Sequence, residues 1–139
     1  TNKAGSGEIK SLGDLCYEVL EPCRVKFDRA VTITSGFRSK ELCVAIGSSE
    51  NSQHTCANGS AAADFEIAGV SNLAIAMYIS NHCDFDQLIL EYYTGEPSSG
   101  WVHVSYKDGS NRKQVLTFDG KSYTNGLPDA EWSGGKMSN

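Results

Sequence analysis

Positive charge, histidine and proline are all in short supply in this sequence. Twelve lysines and arginines face 17 acidic residues for a formal net charge of -5, and there are only three histidines and three prolines. Without an excess of positive charge there is no diffuse field to draw phosphates, so neither nucleic acid nor an anionic membrane surface is expected as the main partner. No apolar run approaches the ~20 residues that cross a bilayer, the nearest being the mixed stretch from Leu73 to Ile79, and membrane insertion is not expected. Thr1 opens the chain with no charged-then-apolar leader, so any signal segment has been removed or was never attached, and export is not readable. The five cysteines lack a CxxC pair and are odd in number, which makes a disulfide framework a poor reading. Cys16 and Cys23, inside a helical pattern, read instead as small buried hydrophobes.

What is present suits a globular chain. With 139 residues, 40% hydrophobic and 21% charged, the composition fits one domain over 1–139, with residues 1–8 as a loose lead-in and 120–139 as an irregular tail. Leu12, Leu15, Cys16, Val19, Leu20 and Cys23 mark one helical stripe with Ser11 as its cap, and Pro22 predicts a kink or break inside it. Val31–Thr34 reads as a strand, Ser39 as the cap of a helix ending at Gly47, and the Ser/Asn/Gly-rich 48–60 as a long loop. Ala62–Ile67 is expected to be a strand with Asp64 and Glu66 on one face and Phe65 and Ile67 on the other. A helix over 72–81 capped by Ser71 and a strand over 87–92 follow. Strict alternation then puts Trp101, His103 and Ser105 on one face of a strand that turns at Asp108-Gly109 into a partner over 114–118, read as a closing hairpin. The order implies an α+β fold: a mainly antiparallel sheet with helices packed on one face and a polar face left for chemistry.

Two of the histidines stand where chemistry is plausible. His54 lies in the polar loop ahead of the strand presenting Asp64, and His103 sits between two valines in mid-strand. Two histidines and a carboxylate suit an open Zn²⁺ site with a position left for water. From spacing alone the competing description is a solvated loop histidine, a hydrogen-bonded core histidine and an exposed aspartate. His82, beside Cys83 after a helix, reads as structural.

Four ordered motifs sharpen this choice. Ile33-Thr34-Ser35-Gly36-Phe37-Arg38-Ser39, Asn51-Ser52-Gln53-His54, Gly59 through Ala63-Asp64, and Trp101-Val102-His103-Val104-Ser105 resemble those of the M15-type zinc D-Ala-D-Ala peptidases, which share a fold with the Hedgehog signalling domain. The resemblance runs from the first helix to the last strands and implies that His54, Asp64 and His103 bind Zn²⁺. The spacing departs from the family pattern, with nine residues, Thr55 to Ala63, between the first histidine and the aspartate, three more than is usual. A loop bulge near Cys56 absorbs such an excess at little entropic cost and leaves open whether Cys56 joins the metal.

By the same resemblance Asp86-Gln87-Leu88-Ile89-Leu90-Glu91 matches the strand that ends in the family's general base, which points to Glu91. Glu96, in the following Gly/Pro loop, competes for that role but lacks a strand to orient it. Arg38, where Phe37 replaces the more usual tyrosine of the motif, is expected to clamp a substrate carboxylate or stabilise an oxyanion. Ser52, Gln53 and Trp101 are expected to position substrate.

The resemblance implies a zinc peptidase cleaving D-amino-acid-containing bonds of peptidoglycan, as carboxypeptidase or endopeptidase. Its setting would be the cell envelope or periplasm, or a bacteriophage lysis or virion assembly. A non-catalytic zinc-stabilised binding module of the same fold is the alternative, disfavoured by the presence of Glu91. A serine hydrolase using Ser35 or Ser52 with His54 and Asp64 lacks a GxSxG elbow.

Overall fold

The structure is a computed structural model and describes residues 2–129. Its first helical rod is built in three parts. Helix α1 spans Ser6–Leu15, a π-helical turn Cys16–Leu20 follows, and α2 spans Glu21–Phe27. The rod starts well before the predicted cap, because the Glu8 carboxylate accepts the Gly5 N–H at 2.6 Å and closes the first turn. Ser11 is buried within α1, and its hydroxyl donates to the Gly7 carbonyl. The expected loose lead-in is also tied down, since the Asn2 side chain donates to the Phe37 carbonyl and accepts the Ser39 N–H.

The π-turn resolves the difficulty that Pro22 poses. Glu21 N–H reaches back to the Cys16 carbonyl, the i→i+5 bond of a π-bulge, and the rod resumes with Pro22 at the second position of α2, where its missing N–H goes unmissed. The wider turn also changes which residues face inward. Leu15, Val19 and Cys23, spaced by four, are completely buried, and Cys16 is exposed, contrary to the expectation that it packs in the core. All five thiols are free, and the other four are buried.

Among the described residues six strands form one sheet: β1 Val31–Ser35, β2 Ser60–Ile67, β3 Gln87–Glu91, β4 Trp101–Lys107, β5 Gln114–Phe118 and β6 Tyr123–Asn125. Their order across the sheet is β1-β2-β4-β3-β5-β6, with every pair antiparallel except β3 and β5. The predicted β4–β5 hairpin is therefore not formed. Both edges of β4 are occupied, by β2 through Asp64↔His103 and by β3 through Ile89↔His103, so the chain carries β5 past β3 to its far edge. The connection is held by Lys113 N–H to the Phe85 carbonyl and Gln114 N–H to that of Asp86.

The tail also departs from expectation. Its first part folds back as β6 on β5, with a turn in which the Asp119 carboxylate accepts the N–H groups of Lys121 and Ser122 and with Phe118 stacked on Tyr123 at 4.4 Å. Residues 130–139 of the predicted irregular tail lie outside the described residues.

Helices α3 (Lys40–Ala45) and α4 (Asn72–His82) are capped by Ser39 and Ser71 as predicted. One sheet face carries the core, where Leu15, Val19 and Ile79 from the helices meet Phe65, Leu88, Leu90, Val102 and Val104. The opposite face presents Asp64, His103 and Glu91. This is the predicted α+β arrangement.

Candidate metal centre

Strand alternation decides which side chains reach the open face. On β2, Phe65 and Ile67 enter the core and Asp64 emerges opposite; on β4, Val102 and Val104 are buried and His103 points the other way. Because Asp64 pairs directly with His103 in the sheet, the two meet side by side, with His103 Nδ1 2.9 Å from Asp64 Oδ1.

The third member comes from the 48–60 segment. Ser52 caps a 3₁₀ turn, Gln53–Thr55, by accepting the His54 N–H on its hydroxyl, and this presents the imidazole toward Asp64 with Nε2 3.5 Å from Oδ1. The His54 Nδ1 is 2.8 Å from the Gly36 carbonyl, which accepts its proton, so Nε2 keeps its lone pair for the site. A β-bulge shifts the β1–β2 register between Ile33 and Ser35, placing Ser35 opposite Asp64 and starting the turn that delivers Gly36 and Arg38. The surplus between His54 and Asp64 is taken up by left-handed conformations at Cys56, Asn58 and Gly59.

Donor atoms of His54, Asp64 and His103 all lie within 4.8 Å of one another, and all three side chains are nearly buried. Two imidazole nitrogens and a carboxylate oxygen, with one histidine braced by a backbone carbonyl, form a donor set that fits Zn²⁺. Burial opposes ionisation of Asp64, but the hydrogen bonds and charge of His103 and His54 outweigh it and hold the carboxyl well below its ordinary range. Cys56 is not among these donors. Its side chain is packed in the core, its Sγ contacts the His54 carbonyl at 3.6 Å, and burial pushes its thiol up to about 11.

Arg38 joins the cluster more closely than expected. Its Nη2 lies 3.3 Å from Asp64 Oδ2, its Nε donates to Ser35 Oγ, and its backbone N–H bonds the His54 carbonyl, so it orients the aspartate and the histidine loop together. A cleft of about 540 Å³ covers the centre, with Arg38, Ser52, Gln53, Glu91 and Tyr123 on its walls.

Glu91 ends β3 and faces this cleft. Burial raises its carboxyl above the ordinary glutamate value, opposed by the charge of His103. Trp101, its cross-strand partner, donates its indole N–H to the Glu91 carboxylate and lies tilted against Tyr92 with ring centroids 5.0 Å apart. Trp101 is absent from the cleft wall, so what the structure shows for it is a grip on Glu91. Glu96 is exposed in the loop and does not line the cleft. His82 is exposed at the end of α4, its ring against Tyr78.

Two residues without an expected role brace the site. Asp86, buried just ahead of β3, accepts from the Gln53 amide at 2.7 Å and from the Arg112 backbone N–H, Nε and Nη2. Asp86 was visible only as the start of the strand motif, and Arg112 carried no sequence signal because the contact depends on the β3–β5 crossover.

The family model described as peptidase M15 matches residues 4–105, which include all four motifs. No curated protein and no solved structure matches the chain significantly. No helix among the described residues is long and apolar enough to cross a membrane.

Proposed function

The chain belongs to the peptidase M15 family, and on that premise we propose that it is a zinc metallopeptidase hydrolysing D-amino-acid-containing peptide bonds of bacterial peptidoglycan, as a carboxypeptidase or cell-wall endopeptidase. The observation that carries this reading is the convergence of His54, Asp64 and His103 in one cleft with Glu91. His54 through Nε2, His103 through Nδ1 and Asp64 through its carboxylate would hold the ion. Zn²⁺ in such a set supplies a Lewis acid that makes water a nucleophile near neutral pH and polarises a carbonyl.

The protein side of the chemistry follows from placement. Glu91 accepts the proton of the attacking water and returns it to the leaving nitrogen, with its carboxylate oriented by the Trp101 indole N–H. Arg38 offers its guanidinium to the developing oxyanion or to a terminal carboxylate of the peptide. Ser52 and Gln53 form the wall along which the peptide would lie.

The test pairs metal content with hydrolysis. Elemental mass spectrometry on protein purified without added zinc should find about one zinc per chain, and much less in His103→Ala. Purified peptidoglycan should release peptides with wild type and not with Glu91→Ala. Equal release by both would overturn the assigned base, and zinc without hydrolysis would point to a non-catalytic module.

A further inference from the structure

Beside the metal cleft, across the ridge made by Asn51, Ser52 and Gln53, lies a second cavity of about 400 Å³. We propose that this cavity is a subsite for a free carboxylate carried by the substrate peptide away from its scissile bond, making the enzyme selective for acidic over amidated peptides. The proposal rests on the peptidase reading and adds the class of substrate.

Charge is the ground for it. In a chain of net charge -5, this cavity gathers Lys40, Lys107 and Arg112 from three separate parts of the fold: the start of α3, the end of β4 and the β4–β5 connection. Two carboxylates share the wall, Asp86 and Glu50. Asp86 is already committed, accepting three bonds from Arg112 and one from Gln53. Glu50 makes no ion pair with either lysine, and among the described residues neither Lys40 nor Lys107 has a carboxylate partner. Two unpaired ammonium groups in a concave polar pocket, backed by an arginine fixed in direction, complement an anion. Because both cavities share Asn51, Ser52, Gln53 and Arg112, a peptide in the cleft can reach the second cavity with a neighbouring side chain.

The experiment uses two stem peptides, identical except that one carries a free side-chain carboxylate and the other its amide. Calorimetric titration of each into zinc-loaded Glu91→Gln protein reads binding without turnover, and the zinc-loaded wild type then gives kcat and KM. The expected result is about tenfold tighter binding of the acidic peptide, shrinking with salt, and a matching difference in KM with kcat little changed. In a Lys40→Gln/Lys107→Gln variant, both substitutions being at exposed positions, the preference should fall to about twofold or less. Equal affinity for the two peptides with both lysines present overturns the subsite, as does a preference that survives in the Lys40→Gln/Lys107→Gln variant. A binding preference without hydrolysis of either peptide upholds the subsite and overturns the peptidase reading.

Discussion

At the scale of single residues, the site divides into groups that would act on substrate and groups that hold those in place. On the proposed reading Glu91 belongs to the first kind. Its replacement by Gln removes the proton acceptor while keeping the shape, so hydrolysis is expected to fall by about 10²–10⁴-fold with zinc content unchanged, read by peptide release and elemental analysis. Asp86 belongs to the second kind, and its effect is on stability. Burial works against its charge, but Arg112 and Gln53 outweigh that and lower its pKa below the ordinary 3.8. A carboxyl lowered in the folded state contributes stability that is fully present above the ordinary value and is lost as pH falls through the folded one. Asp86→Asn should therefore cost about 1–3 kcal/mol at pH 7, and the gap from wild type should narrow below about pH 4, as measured by urea unfolding at a series of pH values.

At the scale of elements, the parts that differ from regular geometry are those that aim the site. The β1 bulge delivers Arg38, the 3₁₀ turn delivers His54, and the π-turn lets the rod pass Pro22 with Leu15, Val19 and Cys23 all inward. Gly100 has the same importance at the mouth of the β3–β4 connection. Its φ is +65°, and a Cβ there would collide with the Glu91 carbonyl oxygen. Neither strain can be relieved by a side chain turning aside, because the obstacle is backbone. Gly100→Ala should lose about 2 kcal/mol or more of stability, seen as a lower urea midpoint, and should disturb Glu91 and Trp101 enough to reduce hydrolysis. Much at this scale could be read from the chain. Alternation put Asp64 opposite Phe65 and His103 opposite the valines, and Ser39 and Ser71 were recognisable caps because capping is a local act. The π-turn was less legible, since Leu12, Leu15 and Cys16 also fit an ordinary helical stripe.

At the scale of the whole molecule, core and centre occupy opposite faces of one sheet. Helices and core strands pack through apolar side chains on the face away from the centre, where Arg38 and both histidines surround Asp64. Zinc binding to the folded state alone should add about 2.7 kcal/mol at a hundred times Kd, so chelation is expected to lower Tm by several degrees while far-ultraviolet circular dichroism at 25 °C stays native. Loss of the folded spectrum on chelation at 25 °C would show instead that the centre holds the fold together.

The amino-acid sequence by itself determined the family, the inward and outward parity of the strands and the identities of the cluster residues. These depend on short motifs and on a two-residue period that each strand carries alone. Only the tertiary structure decided that β3 stands between β4 and β5, that Tyr123–Asn125 closes the sheet, and that Asp86 grips Gln53 and Arg112. Strand neighbours are chosen by competition for free edges among segments far apart in the chain. With both edges of β4 taken, a local turn such as Asp108-Gly109 could not make its flanking strands partners.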